Sequence, residues 1–333
     1  MGDKDLLFLK YSADGKLLIA KRVYSDKNDL NAQIALLSDG NVVYTGYTEL
    51  ENQKYDSFLI LFDKDGNVLK KKYIHSEADD YVTRVRVYQD KIYLIGYTNP
   101  KSAGNYDGFV VILDKELNIL AQKIIGGNDY DNLTALNMNS KNELILAGQT
   151  KSFGDTEGDI YLVSLNTNTM EKIFAMAYGI DKKKDTAGDI AVFSDSIVLV
   201  GDSVPPIGGD DDGIMLITDN SGNLLVKKYY RGIRDDWFTR ADVCSESICI
   251  LGGTASMHNE TSEIWFLKLK ADGTTGGECK VSFINELTVS QKDIEPVISD
   301  GSFEVKDADI SVSDVILNFA EVGAYTDAQC VAE

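Results

Sequence analysis

Histidine is nearly absent from this sequence: His75 and His258 are the only two among 333 residues. Because the four cysteines contain no CxxC spacing, a zinc site of cysteine and histidine is not expected. Neither histidine has a nucleophile at a catalytic spacing, and no GxSxG, P-loop or GxGxxG motif stands in a suitable context. We therefore predict no catalytic residue and do not expect an enzyme.

Positive charge and long apolar runs are also scarce. The chain carries 33 Lys and Arg against 53 Asp and Glu, a formal net charge of −20, which disfavours nucleic acid and anionic membrane surfaces as partners. No apolar run approaches the roughly 20 residues of a membrane-spanning helix, and the first residues lack the apolar core of a signal peptide. We expect a globular chain with no membrane span, either cytosolic or a mature domain without its signal.

What the sequence has in abundance is a repeat of about 51 residues. Its clearest copy, Asp56–Thr98, contains four apolar runs of strand length separated by turn residues. An acidic residue opens each copy, at Asp5, Asp56, Asp107, Asp159, Asp212 and Glu263. A second aspartate recurs at Asp29, Asp80, Asp131, Asp185 and Asp236. A glycine at the end of an apolar run recurs at Gly46, Gly96, Gly148, Gly201 and Gly252.

Four short antiparallel strands in about 50 residues are typical of one propeller blade. We therefore predict an all-β fold, a β-propeller of four-stranded antiparallel blades. With the third apolar run as the innermost strand, five whole blades fall at 30–74, 81–125, 131–178, 186–231 and 237–284. Residues 5–24 are then the outer half of a sixth blade, so six blades are predicted.

The C-terminal β tail, residues 285–333, lies outside the repeats of residues 1–284 and closes or caps the propeller. Val297–Val305 shares Ser-Asp-Gly with Leu36–Tyr44, which predicts a hairpin that pairs with residues 5–24 and closes the ring by its two termini. The alternative is a separate β appendage. Residues 309–322 exceed what closure needs, and either cap the ring or add a strand to another molecule, which would give self-association.

The cysteines fall into two possible pairs. Cys244 and Cys249, with a turn at Glu246-Ser247, would face each other across a hairpin, near the short limit of disulfide geometry. Cys279 and Cys330 bracket the tail, and a disulfide between them would hold it to the last blade. Two such disulfides favour an oxidising compartment or a hyperthermophilic source. The alternative is four reduced thiols.

Acidic and aromatic residues gather in the loops on one face of the predicted propeller. The candidate ligand-binding residues are Asp80, Tyr81, Tyr130, Asp236 and Trp237. They would form a rim able to bind sugar or protein. The competing interpretation gives the two aspartates, which are repeat positions, a structural role in the turn, and packs the aromatic rings between blades.

One loop, GGDDDG at residues 208–213, is the best candidate for a metal site. Calcium is bound by several oxygen ligands, and carboxylates are the commonest of them. The predicted ligands are Asp210, Asp211 and Asp212. Calcium is the only possible cofactor indicated by the sequence.

The repeated pattern of Asp-x-Phe, Asp-Gly-Asn, Asp-Asp and Gly-Tyr-Thr resembles the secreted β-propeller repeat proteins of bacteria and archaea, with SBBP-type repeats. The resemblance covers roughly residues 5–275 and is clearest in Asp56–Thr98, Asp107–Thr150 and Asp212–Thr254. ADGTTGGECK, followed by an alternating tail and a late cysteine, is similar to the ends of such proteins. The resemblance implies a propeller that is exported or on the cell surface, and it carries over no catalytic residue.

Two functions remain open. The first is a non-catalytic extracellular or cell-surface propeller, which binds a protein or glycan or forms a structural subunit of a surface layer or filament. The alternative is a carbohydrate-active enzyme, a glycosidase or lyase, with an acidic site on the propeller face. That alternative requires one blade to break the repeat with clustered carboxylates. Gly208–Asp212 is the only such departure, and no aromatic residue accompanies it.

Overall fold

The computed structural model describes residues 4–50, 54–99, 105–204, 210–256, 262–275 and 284–315. Every regular element in these ranges is a β-strand, which confirms the predicted all-β class. No helix in the described ranges could cross a membrane. The chain divides into two compact units, Met1–Ile124 with Ser299–Thr326 (unit 1) and Ile125–Ile298 with Asp327–Glu333 (unit 2).

Unit 1 contains three sheets. Its strands are β1 (Leu6–Tyr11), β2 (Leu17–Tyr24), β3 (Asp29–Leu36), β4 (Val42–Glu49), β5 (Tyr55–Phe62), β6 (Val68–His75), β7 (Asp79–Tyr88), β8 (Lys91–Asn99), β9 (Asp107–Leu113), β10 (Ile119–Gly126), β24 (Val297–Asp300), β25 (Glu304–Asp307) and β26 (Ser311–Asp314). In hydrogen-bonding order, sheet 1 is β1-β2-β26, sheet 2 is β25-β6-β5-β4-β3 and sheet 3 is β24-β10-β9-β8-β7.

Unit 2 contains three further sheets. Its strands are β11 (Asp131–Met138), β12 (Glu143–Thr150), β13 (Asp159–Asn166), β14 (Lys172–Gly179), β15 (Lys184–Phe193), β16 (Ser196–Val204), β17 (Asp212–Asp219), β18 (Leu224–Tyr230), β19 (Asp236–Cys244), β20 (Ser247–Thr254), β21 (Glu263–Leu269), β22 (Ile284–Glu286) and β23 (Ser290–Asp293). Sheet 4 is β11-β12-β13-β14-β23, sheet 5 is β15-β16-β17-β18-β22 and sheet 6 is β19-β20-β21. Sheets 2 to 5 thus each contain four consecutive antiparallel strands, as the repeat predicts.

The central strands read as continuous apolar runs because both faces of each sheet are covered. In β5, Phe58 and Ile60 enter the core shared with sheet 1, and Leu59 and Leu61 enter the core shared with sheet 3. In unit 2, β17 divides its residues between two cores in the same way. Because successive side chains of a strand point to opposite faces of the sheet, one apolar run contributes residues to two cores.

The recurring glycine has a packing reason. The inner strand bulges where it faces this residue, for example between Val82 and Arg84. A Cβ atom at Gly96 would overlap the carbonyl oxygen of Tyr81, and one at Gly201 would overlap that of Thr186. Only glycine permits this close approach of two backbones.

The tail adds one short strand to the outer edge of five of the sheets. Its backbone N–H donors recur every seven residues, at Leu287, Ile294, Gly301, Ala308 and Val315. Their carbonyl acceptors recur in the reverse order, at Lys227, Ala175, Gln122, Lys71 and Ala20. These acceptors are separated by 52, 53, 51 and 51 residues, so seven tail residues step back by one copy of the main repeat.

The predicted tail hairpin on residues 5–24 is wrong. Within Val297–Val305, β24 pairs with β10 and β25 pairs with β6, while β26 is the strand that pairs with β2. The period-two pattern indicates strands but carries no information about their partners. In the described residues sheet 1 has no inner strands, so closure into a six-bladed ring stays a prediction, and residues 316–322 lie outside them.

Candidate functional site

The second aspartate of the repeat is a buried turn residue in both units. Asp80 is 0% exposed. It accepts hydrogen bonds from the Ser76 N–H (2.7 Å), the Ser76 hydroxyl (2.9 Å) and the Thr98 hydroxyl (2.7 Å). Burial raises its pKa to about 6, despite these hydrogen bonds.

Asp236 is equally buried, and accepts from the Gly232 N–H (2.5 Å) and the Ser256 hydroxyl (2.9 Å). The oxygens of Asp80 and Asp236 therefore hold their own loops. These hydrogen bonds support the structural interpretation, and ligand binding by the two aspartates stays a prediction.

The three predicted metal ligands do not act as one group. Asp212 is 7% exposed and pairs with the Lys183 ammonium (Nζ to Oδ2, 3.4 Å), whereas Asp210 is exposed. Among the residues that the structure describes, no three His, Cys, Asp or Glu side chains are grouped as a metal site. Residues 205–209 of the loop lie outside those residues, and calcium binding there stays a prediction.

Asp211 instead interacts electrostatically with Asp202, a carboxyl group of the neighbouring strand. Asp202 lies near the end of β16, and Asp211 immediately precedes β17, which pairs with β16. Burial, and after it the charge of Asp211, raises the pKa of Asp202 to about 6. The pKa of Asp211 is also raised, first by burial and then by Asp235 and Asp212. Lys184 opposes both shifts, because its positive charge favours the ionised carboxylates.

Two hydrogen bonds of its main-chain groups, one to a side chain and one to a backbone N–H, place Asp211 beside sheet 6. Its N–H donates to Asp235 Oδ1 (3.0 Å), and its carbonyl accepts the N–H of Asp236 (2.7 Å). The next residue is Trp237, which is half-buried. Its indole lies against Gly253, where a Cβ atom would overlap the ring. We call Asp202, Asp211, Asp235 and Trp237 the acid site.

Asp202 could have been identified as a candidate site residue by comparing the copies of the repeat. Asp202 occupies the position of Tyr47 and Tyr97, and Asp211 occupies the position of Tyr55 and Tyr106. Asp202 escapes attention in a motif search because no local motif surrounds it. Trp237, predicted to bind a ligand, is the residue after Asp236, whose N–H donates to the carbonyl of Asp211.

The other two predicted aromatic residues lie elsewhere. Tyr81 belongs to unit 1, where its ring stacks on that of Tyr97 (4.8 Å between centroids). Tyr130 precedes sheet 4 in unit 2, and its hydroxyl accepts a hydrogen bond from the Asn132 amide (2.9 Å). Neither is a member of the acid site as defined.

Cys244 and Cys249 form a disulfide with a Cα–Cα distance of 5.9 Å. The turn is Ser245-Glu246, one residue earlier than predicted, with Ser245 at φ 59°. Cys244 therefore faces Ser247, Cys249 faces Asp242, and the bond crosses the hairpin diagonally. The predicted directly opposed pair is wrong. Cys279 and Cys330 lie outside the described residues.

No protein-family model matches the sequence, and no curated protein matches it. Solved structures with similarity include a GH43 endo-arabinanase from Bacillus licheniformis, at 12% identity over 75% of this chain and 98% of that chain (TM-score 0.37). They also include a GH43_1 enzyme from Xanthomonas citri, at 11% identity over 76% of this chain and 94% of that chain (TM-score 0.41). A mannose phosphorylase from Leishmania mexicana covers 73% of this chain and 84% of its own, at 12% identity (TM-score 0.41).

These similar proteins are enzymes. The finding contradicts the prediction of a non-catalytic module or structural subunit and the expectation that the chain is not an enzyme, and neither is carried forward. At these TM-scores the likeness assigns no substrate and no residue to this chain. The chemistry has to be argued from the acid site itself.

Proposed function

We propose that this protein is a carbohydrate-active enzyme that hydrolyses glycosidic bonds, with Asp202 and Asp211 as its two carboxyl groups. One observation supports this most strongly. Sheet 5 replaces two tyrosines of the repeat by two carboxyl groups, the charge of Asp211 adds to burial in raising the pKa of Asp202, and Trp237 follows at the start of sheet 6. Hydrolysis of a glycosidic bond requires two carboxyl groups in different ionisation states.

The environments of the two carboxyl groups suit different roles. Asp202, whose pKa is raised to about 6, is the general acid and gives its proton to the leaving glycosidic oxygen as the bond to the anomeric carbon breaks. Asp211 is the carboxylate. It either accepts the proton of the attacking water or attacks the anomeric carbon, and the separation of the two groups in the bound complex decides which.

Trp237 supplies a surface on which a sugar ring can stack. An aromatic face binds the C–H face of a pyranose or furanose ring, while carboxylates accept hydrogen bonds from its hydroxyl groups. Because Gly253 has no side chain, the indole can lie directly against the backbone of β20. This arrangement favours a neutral sugar, because the surrounding carboxylates repel anions.

The test is hydrolysis of arabinan, xylan and mannan, followed by the release of reducing ends. We expect Asp202→Asn and Asp211→Asn to lower kcat about 10²- to 10⁴-fold, the usual contribution of acid–base catalysis. Asp195→Asn is the matched control, since Asp195 is exposed at the opposite end of the same β15–β16 hairpin. Unchanged activity in both site variants would refute the assignment.

The wider setting of the enzyme is part of the same proposal. The four-stranded order of sheets 2 to 5 supports six blades of one propeller, as in the SBBP-type resemblance. The Cys244–Cys249 disulfide supports work outside the cell, in an oxidising environment. Small-angle scattering would distinguish a closed ring from an open arc, and intact mass of natively produced protein, with and without reductant, would test the disulfide.

A further inference from the structure

Five tyrosines gather at the loop edge of sheets 2 and 3 in unit 1. They are Tyr47, Tyr55, Tyr81, Tyr97 and Tyr106. We call them the tyrosine platform. Each ring contacts at least two others, with centroid separations from 4.8 to 6.1 Å. The acid site does not include any of them.

Tyr81 is the centre of the platform. Its ring stacks on Tyr97 (4.8 Å, 21° between planes) and lies at 32° to Tyr55 (5.2 Å). Tyr47 meets it edge-on (5.1 Å, 80°), and Tyr106 meets Tyr97 edge-on (5.4 Å, 77°). Three rings of similar orientation are therefore bordered by two perpendicular ones.

The platform differs from the hydrophobic cores of unit 1. Its five rings are half-buried, and none belongs to the core clusters. Tyr44, from the same strand as Tyr47, is by contrast a core residue with 1% exposure. Mutual contacts hold the platform rings in place, while part of each ring stays in solvent. Packing between the sheets accounts for the contacts, but not for an aromatic set that remains half-exposed.

The platform is polar at its margins and acidic in charge. The Tyr55 N–H donates to Asp79 Oδ1 (3.1 Å). Burial, followed by the neighbouring Tyr106 and Asp79, raises the pKa of Tyr81 well above its ordinary value. Its phenol is thus neutral at physiological pH. Lys54, the adjacent cation in the sequence, donates to the carbonyl oxygen of Glu77 (3.1 Å).

We infer that the tyrosine platform is a second, non-catalytic binding site for a neutral glycan. Stacked phenol rings take the C–H faces of sugar rings, and their hydroxyls and Asp79 bond to sugar hydroxyls. The acidic margin disfavours uronic acids and other anionic sugars. The inference does not depend on the acid pair.

The test is affinity electrophoresis of the full chain in gels containing arabinan, xylan or mannan, with polygalacturonate as the anionic probe. The wild type is expected to bind at least one neutral polymer and not the anionic one. Tyr97→Ala and Tyr106→Ala should each weaken binding about tenfold, because each removes one ring. Tyr106 precedes β9, so its substitution disturbs no strand. Tyr88→Ala is the control, from a tyrosine pair at the other end of β7 and β8.

Asp202→Asn separates this inference from the proposed function. The platform should bind glycan equally well in that variant, whether or not the enzyme is active. The inference fails if the wild type binds no neutral polymer, if folded Tyr97→Ala and Tyr106→Ala bind as the wild type does, or if the platform is shown to bind a peptide instead. Loss of binding in Asp202→Asn alone would assign the glycan to the acid site.

Discussion

The tyrosine platform of unit 1 and the acid site of unit 2 occupy equivalent positions of one repeat. Tyr47 and Tyr55 on sheet 2 are followed by Tyr81 at the start of sheet 3. Asp202 on sheet 5 and Asp211, immediately before β17 of that sheet, are followed by Trp237 at the start of sheet 6.

Even the backbone contact is repeated: Tyr55 donates to Asp79, and Asp211 donates to Asp235. Two neighbouring sheets thus offer the same three positions, filled by aromatic rings in one unit and by carboxylates with one ring in the other.

The comparison separates what the repeat must keep from what it is free to change. The buried aspartate and the recurring glycine are present in both units, because each fulfils a backbone requirement that recurs with the fold. The three positions occupied by Tyr47, Tyr55 and Tyr81 in unit 1 fulfil no such backbone requirement. They carry the chemical difference between the units, and this is where function is expected to reside.

The largest effect should come from breaking the shared scaffold. Asp80→Ala in unit 1 and Asp236→Ala in unit 2 should each lower the free energy of unfolding by about 3 kcal/mol, because several hydrogen bonds to a buried carboxylate are lost. Asp202→Ala should leave it nearly unchanged. Urea denaturation measures all three. A loss below about 1 kcal/mol for both buried aspartates would contradict the scaffold role.

A smaller effect, confined to the acid site, is expected from a substitution at Gly253. Gly253→Ala places a methyl group where the indole of Trp237 lies, and should raise KM about tenfold by displacing the ring, a loss of roughly 1.4 kcal/mol of sugar binding. Tryptophan fluorescence should shift as well. Trp237→Phe identifies that signal, since Trp265 is the only other tryptophan. An unaltered spectrum and KM would show that the ring is not held by Gly253.

The smallest expected effect is on the pH dependence of stability, and it should arise mainly in unit 2. Burial raises the pKa of Asp159 and Asp202 to about 6 and that of Asp185 to about 7. A carboxyl group whose pKa is higher folded than unfolded binds more protons in the folded state. Its stabilising contribution is full below the unfolded pKa and is lost as pH rises through the folded one.

Stability should therefore increase as the pH falls from about 8 to 5. Asp185→Asn should flatten this slope, because it removes the group with the highest of these pKa values. Asp195→Asn should leave the slope unchanged. Thermal unfolding at several pH values measures it, and equal slopes for the wild type and Asp185→Asn would contradict the assignment.

Much of the fold is predictable because the markers of the repeat have local causes. Asp80 is needed to accept the hydrogen bonds of its own turn, and Gly96 is needed because the bulged strand opposite leaves no room for a side chain. The tail was not predictable from alternation, since a period of two gives faces and no partners. Its seven-residue period appears only in the backbone donors, because the buried tail residues Leu287, Ile294, Phe303 and Ile310 are spaced by 7, 9 and 7 residues.

The acid site was half predictable. The sequence identified Trp237 because it follows the repeated Asp236, and Asp211 because the GGDDDG loop departs from the repeat. Asp202 required the tertiary pairing of β16 with β17, because its partner is nine residues away across a loop. The predicted pairing in the cysteine hairpin was wrong for a similar reason, because shifting the turn by one residue changes which side chains face each other.

The most direct test of the central claim is the pKa of Asp202, followed by NMR titration of the aspartate carboxyl carbons and assigned with Asp202→Asn. We predict a pKa of about 6 in the wild type, and a lower value in Asp211→Asn, because the charge of Asp211, which adds to the larger effect of burial, has been removed. An ordinary pKa near 4, unchanged in Asp211→Asn, would contradict a coupled acid pair at this site.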